Sequence, residues 1–177
     1  DLYREILAIR PIGWAKLGLA RALKMLDNKA EAERLAREIL AETPQFMAAY
    51  DFLSKLVAES GDGKAALDVL QKAREISPGT MSRIRELSSL AVTTGQPEIA
   101  EKVMRETLQI HKHSPVRQAN DYAILSRALV NQGKAAEALS VVKDARKSFS
   151  DDKSNVVLSV TESVAHRAAG NDELALA

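Results

Sequence analysis

Cysteine is absent from the 177 residues, so the chain has no disulfide framework and no thiolate metal site. That absence agrees with a cytoplasmic location. Proline (5) and glycine (8) are scarce, and most of them stand between apolar runs, a pattern that favours helices. Aromatic residues make up only 4%, so Ala, Leu, Val and Ile must fill the interior. Neither sign of charge is in surplus. Lys and Arg number 25 against 24 Asp and Glu, a net charge of +1, so neither nucleic acid nor a membrane surface is expected as a partner. No apolar run approaches the length of a bilayer span. No secretory signal is visible, and the opening "DLYREILAIRP" starts inside a helical pattern, so the sequence reads as part of a longer protein. No segment alternates with period two, and no strand is predicted. What is present, 46% hydrophobic and 28% charged residues, suffices to bury a core and stay soluble.

The punctuation is periodic. Pro11, Pro44 and Pro78 are 33 and 34 residues apart, Gly61 and Gly95 are 34 apart, and Gly133 and Gly170 follow after 38 and 37. Between these marks, apolar residues recur at helical spacing, as in Ala49, Phe52, Leu53, Leu56 and Val57, and again in Ala66, Val69, Leu70 and Ala73. Gly61 suits the left-handed end of the first of these helices. Thr43-Pro44 and Ser114-Pro115 suit an N-cap followed by proline at the first helical position, and Gln96-Pro97 suits a weaker version. The unit is helix, turn, helix, turn. A lone pair cannot bury both its faces, whereas stacked pairs can.

This unit resembles the tetratricopeptide repeat, a helix pair of about 34 residues. The best copy, 47–80, has Tyr50, Leu53-Ser54 and Val57 on its first helix, Gly61-Asp62 at the turn, and Ala66, Leu70, Ala73 and Pro78 on and after its second. A weaker copy has Ile84, Leu87-Ser88, Ala91, Gly95, Ala100 and Met104. Another has Tyr122, Leu125-Ser126, Leu129, Gly133, Ala138, Val142 and Ala145, and the first full copy turns at Asp27-Asn28 before Ala32, Ala36, Ile39 and Pro44. The resemblance implies an all-α, right-handed superhelix of antiparallel helix pairs. Its divisions are 1–11 (a second helix of a preceding repeat, with Tyr3 and Pro11 in register), 12–44, 45–78, 79–115, 116–151 and a truncated 152–177. The segments "PIGWAKLGLARAL" and "HKHSPVRQANDYAILSRAL" also resemble the C-terminal half of certain bacterial response regulators. In those proteins a phosphorylatable receiver domain precedes the repeats. The resemblance implies a receiver in the parent chain and a role in phosphorelay signal transduction.

The stretch "GDGK" (61–64) invites a catalytic reading, but it fails as a phosphate loop. Ala58 stands where the Walker A loop needs glycine, and Ala65 where it needs a hydroxyl. A calcium loop fails as well, because the distal glutamate position holds Ala73. His111 and His113 offer only two ligands with no carboxylate cluster nearby in sequence, and His166 reads as a packing residue. No nucleophile stands in a recognisable context. Neither enzymatic activity nor a cofactor is expected.

In tetratricopeptide arrays the first helix of each pair lines the concave surface. Counting six residues back from each turn glycine or its equivalent gives Arg21, Lys55, Ser89, Arg127 and Val164, and four residues earlier stand Leu17, Asp51, Arg85, Ala123 and Val160. Lys24 lies three residues beyond Arg21. Arg21, Lys55, Arg85 and Arg127 therefore suit a basic column for an acidic peptide or protein, with Asn120 and Asn131 as hydrogen-bonding groups for its backbone. The alternative is a solvated or internally paired face, since Asp51 and Glu86 are near. Trp14 suits either a packing role or a groove anchor. A third possibility is homo-oligomerisation through the terminal helices, whose apolar faces the half-repeats leave without a neighbour.

Overall fold

The computed structural model describes residues 2–9 and 12–175, all of whose regular elements are α-helices. In chain order these are α1 (Leu2–Ile9), α2 (Gly13–Met25), α3 (Lys29–Glu42), α4 (Met47–Glu59), α5 (Gly63–Ile76), α6 (Met81–Thr93), α7 (Pro97–Ile110), α8 (Ala119–Asn131), α9 (Ala135–Arg146), α10 (Asp152–Ala168) and the short α11 (Asp172–Ala175). Pro11, which marks the end of the first half-repeat in the sequence, lies outside the described residues. None of the helices is long and apolar enough to cross a membrane.

The chain divides into two compact units, Asp1–Arg83 and Ile84–Ala177. In the first unit α1 packs on α2, α2 on α3, α3 on α4 and α4 on α5. Its interior is built from Leu17, Ala20, Leu23, Ala32, Leu35, Ile39, Ala49 and Leu56, all buried. In the second unit α7 packs on α8 and α8 on α9, while α10 packs on both α8 and α9 and carries α11. Val142, Ala145 and Leu158 form part of its core, with Tyr122 and Phe149 in an edge-to-face pair against them. Ala32, Ala66, Ala100 and Ala138 open the second helix of successive pairs, and each has no exposed surface. A methyl group there lets neighbouring helices approach closely; a larger side chain would overpack the site.

The turns within the pairs follow the sequence closely. At the end of α4 the Gly61 N–H donates to the Ala58 carbonyl at 3.0 Å and the Asp62 N–H to the Val57 carbonyl at 3.2 Å, with Gly61 at φ +90°. This Schellman arrangement needs a left-handed residue, which glycine adopts without cost. Asp62 then caps α5 by accepting from the Ala65 N–H at 2.9 Å. "GDGK" is thus a hinge between two helices.

Three local expectations are corrected. Thr43-Pro44 does not open α4; Thr43 closes α3, and α4 begins three residues after Pro44, at Met47. Proline cannot continue α3, so it stops that helix, and Phe46 reaches back to pack on Leu17, Ile39 and Ala49. Ser114-Pro115 likewise stays in a linker. The cap of α8 is Gln118, in a reciprocal capping box with Asp121. Trp14 is 58% exposed, so it is not a core packing residue. Gln96-Pro97 opens α7 as expected.

Candidate functional site

The first helices of the pairs carry the residues singled out in the sequence, and the structure gives them different surroundings. In the first unit, Arg21 on α2 is exposed and has no hydrogen bond or ion pair with any described residue. Lys24 donates to Glu59 at 2.8 Å. That bond, with Lys29 and Lys55 adding their fields, holds the Glu59 carboxyl below the usual carboxylate range. Lys55, on α4, is exposed beside it. Asp51 accepts two hydrogen bonds from the buried Arg83, at 2.8 and 3.3 Å, and so is neutralised within the protein. Lys16 is also buried on α2, donating to Glu38 and Glu42 at 2.6 Å each. Burial works to lower its pKa, but the two carboxylates outweigh it and the ammonium is held above its ordinary range.

In the second unit Arg85 departs from the expected free cation. It donates to both carboxylate oxygens of Asp121, at 2.6 and 3.1 Å, and to the Val116 carbonyl at 2.8 Å. Asp121 has no exposed surface, and it also accepts from the Gln118 N–H at 2.8 Å. A buried carboxylate and a mostly buried guanidinium paired in this way hold each other by geometry and leave little for a ligand. Ser89 on α6 is half-buried; Asn120 and Asn131 are exposed at the first and last turns of α8. Arg127 is exposed, without a hydrogen bond or ion pair to any described residue. It stands at a shallow cleft between α8 and α10 whose walls include Ala123, Val130, Val160 and Val164. Val160 is 61% and Val164 46% exposed.

The structure therefore leaves Arg21, Lys55 and Arg127 facing solvent, and ties Lys24, Asp51 and Arg85 into pairs. The sequence reading missed Glu59, Arg83 and Asp121, the partners that do the tying. For Asp121 a signal was present: Gln118-x-x-Asp121 is a capping-box spacing. No comparable local signal marks Arg83, which lies 32 residues from Asp51. Among the described residues no group of three His, Cys, Asp or Glu is placed to hold a metal ion. His166 is half-buried with its Nδ1 enclosed, in keeping with a packing role.

No protein-family model matches the chain. It is 28% identical over 88 residues to the human protein O-mannosyl-transferase TMTC1, a stretch covering 49% of this chain and 10% of that one. The chain thus spans about a tenth of the length of that curated relative. Solved structures match far more of it. YrrB, described as a TPR protein with an unusual peptide-binding site, superposes with a TM-score of 0.72 over 99% of this chain and 88% of its own, at 16% identity. MamA superposes with a TM-score of 0.73 over 93% and 86%, at 13% identity. The tetratricopeptide-like repeats of a putative kinesin light chain from Podosopora anserina give 0.69 over 92% and 89%, at 18% identity. At these identities the likeness is one of fold: the chain is an all-α, tetratricopeptide-type array of antiparallel helix pairs.

Proposed function

We propose that the protein is a non-enzymatic, cytoplasmic interaction scaffold that binds a peptide or partner protein on the surface of its first helices. The observation that carries this reading is the cleft between α8 and α10, where an unpaired Arg127 stands beside exposed Val160 and Val164. A cation with no internal partner next to uncovered aliphatic surface suits a ligand that brings a carboxylate and an aliphatic side chain together. Arg21 and Lys55 extend the same chemistry to the first unit, and Ser89, Asn120 and Asn131 supply polar groups for a ligand backbone. Lys24, Asp51 and Arg85 support these helices through their internal pairs.

A displayed peptide library selected on the protein tests this reading. Selected peptides should be rich in Asp or Glu beside aliphatic residues, and Arg127→Glu should weaken their binding by about tenfold or more while leaving helicity intact. Peptides that bind wild type and an Arg21→Glu, Lys55→Glu, Arg127→Glu variant equally would overturn it.

The resemblance of "PIGWAKLGLARAL" and "HKHSPVRQANDYAILSRAL" to response-regulator output regions supports a finer reading. In it the scaffold is the effector part of a receiver-linked bacterial signalling protein, and an aspartyl-phosphate mimic in the parent would change capture of the selected peptides. Self-association is the competing reading. It is favoured by Leu2, Met25, Leu26 and Leu174, all exposed near the ends of the described chain or at the α2–α3 turn. A strictly monomeric mass by light scattering would exclude it.

A further inference from the structure

The linkers between successive pairs are not equal. Residues 43–46 and 77–80 join α3 to α4 and α5 to α6 in four residues each, whereas 111–118 take eight to join α7 to α8. The added length accounts for the wider glycine spacing there. It also brings in His111, Lys112, His113 and Arg117 without a single Asp or Glu.

This linker is built into the second unit. Arg85 holds the Val116 carbonyl, the Asp121 carboxylate holds the Gln118 N–H, and Arg117 Nη1 donates to the Tyr122 hydroxyl at 2.7 Å. Between the linker, α7, α8 and the end of α9 lies a cleft of about 660 Å³. The first unit contains its counterpart, lined by Tyr50 and Leu53 where this one has Tyr122 and Leu125, but of about 280 Å³ and with no linker residue in its wall. The longer linker contributes Lys112 and Arg117 to the second cleft, and the end of α9 adds Lys147 and Ser148.

Four cations line it, and they are not equivalent. Arg105 is matched by Glu101 and Glu137, and Lys147 by Asp144. Lys112 and Arg117 have no carboxylate partner among the described residues. Some apolar surface accompanies them: the half-buried Leu108 lines the cleft over the buried Leu125, and Ile110, 78% exposed, stands beside it where α7 meets the linker. Uncompensated positive charge beside uncovered aliphatic surface has a definite complement. We infer that the cleft framed by the 111–118 linker is a second protein-binding site, and that its occupant is an acidic segment of a partner protein with leucine-like side chains between its carboxylates. A nucleic acid is the poorer fit. Its binding neutralises on the order of six to ten phosphates, and only two uncompensated cations line this cleft.

This site is separate from the α8–α10 cleft, and Arg127 takes no part in it, so Lys112→Glu tells binding here from binding there. The test is calorimetric titration of the full chain with a short acetylated peptide of glutamates interrupted by leucines. Parallel arms use the same peptide with glutamine for glutamate, inorganic phosphate, and a single-stranded oligonucleotide. The acidic peptide should bind, the glutamine peptide and phosphate should not, and added salt should weaken the complex. Lys112→Glu, a change at an exposed lysine, should weaken binding by about tenfold or more, and adding Arg117→Gln should weaken it further. Lys72→Gln, in the smaller cleft of the first unit, should leave binding unchanged. No binding of the acidic peptide, equal binding by the Lys112→Glu protein with its helicity intact, or tighter binding of the oligonucleotide than of the peptide would each overturn the proposal.

Discussion

At Gly61 a side chain would meet nothing within 4 Å, yet the backbone stands at φ +90°, where L residues are strained. Any cost of substitution there is therefore conformational. Asp27 occupies the corresponding turn of the first full pair at φ 59°, with the Asn28 N–H donating to the Leu23 carbonyl at 2.9 Å. One position already has the residue its geometry favours and the other does not. Gly61→Ala should lower stability by about 1–2 kcal/mol, and Asp27→Gly should raise it by up to about 1 kcal/mol. Urea midpoints with unchanged slopes would show both shifts; a neutral Gly61→Ala would show that the turn relaxes out of the left-handed region. These turns were legible residue by residue, because a left-handed backbone position marks itself with Gly, Asp or Asn. The partners of the groove cations were not. Arg85 and Asp121 meet across 36 positions of sequence, and no local pattern pairs them.

Among the elements, α1 packs on α2 across a glycine. Tyr3 lies over Gly18 on α2, and a Cβ at Gly18 would come within 2.5 Å of the ring Cζ. Glycine inside α2 costs helix propensity of up to about 1 kcal/mol, and what it returns is the seat for α1. Gly18→Ala should therefore strengthen α2 and detach α1. Hydrogen exchange would read this as faster exchange over 2–9 with slower or unchanged exchange over 13–25. Unaltered protection of α1 would count against Tyr3 as its anchor. Helices and their turns were readable from apolar spacing at three and four residues. Their starts were less so wherever proline was taken as an opening signal. Pro44 and Pro115 stand between helices, and α4 and α8 begin only at Met47 and Ala119. Proline forbids continuation of a helix as firmly as it favours a beginning, and the buried contacts of Phe46 and Asp121 decide between the two.

Over the whole molecule, the resolved carboxylate shifts run one way. Glu31, Glu38, Glu59, Glu101, Asp144 and Asp151 are all held below their ordinary range, each chiefly by a hydrogen bond to the carboxylate. Glu101 goes furthest, to about 2, through Lys134, Arg105 and Gln132, each bonded at 2.8 Å. A carboxyl depressed in the folded state contributes stability that is present above its unfolded pKa and lost as pH falls through its folded one. Stability should therefore decline from about pH 4.5 and keep falling to about pH 2. Glu101→Gln should flatten the lower part of that decline, as thermal midpoints across this range would show. An unchanged acid limb in the variant would remove Glu101 from the account. The all-α class and the repeat were legible at this scale, since 34-residue spacings are a property of the whole sequence. The difference between a free cation and a paired one was not, because it depends on which helices become neighbours.

The Arg85–Asp121 pair also constrains how this chain can change over generations. Losing Arg85 strands the Asp121 carboxylate in a place without water, a far larger penalty than replacing both with apolar residues of similar volume. The two positions are therefore free to drift only together. A lineage that abandons them also releases the Val116 carbonyl and the Gln118 N–H, and with them the shape of the 111–118 linker.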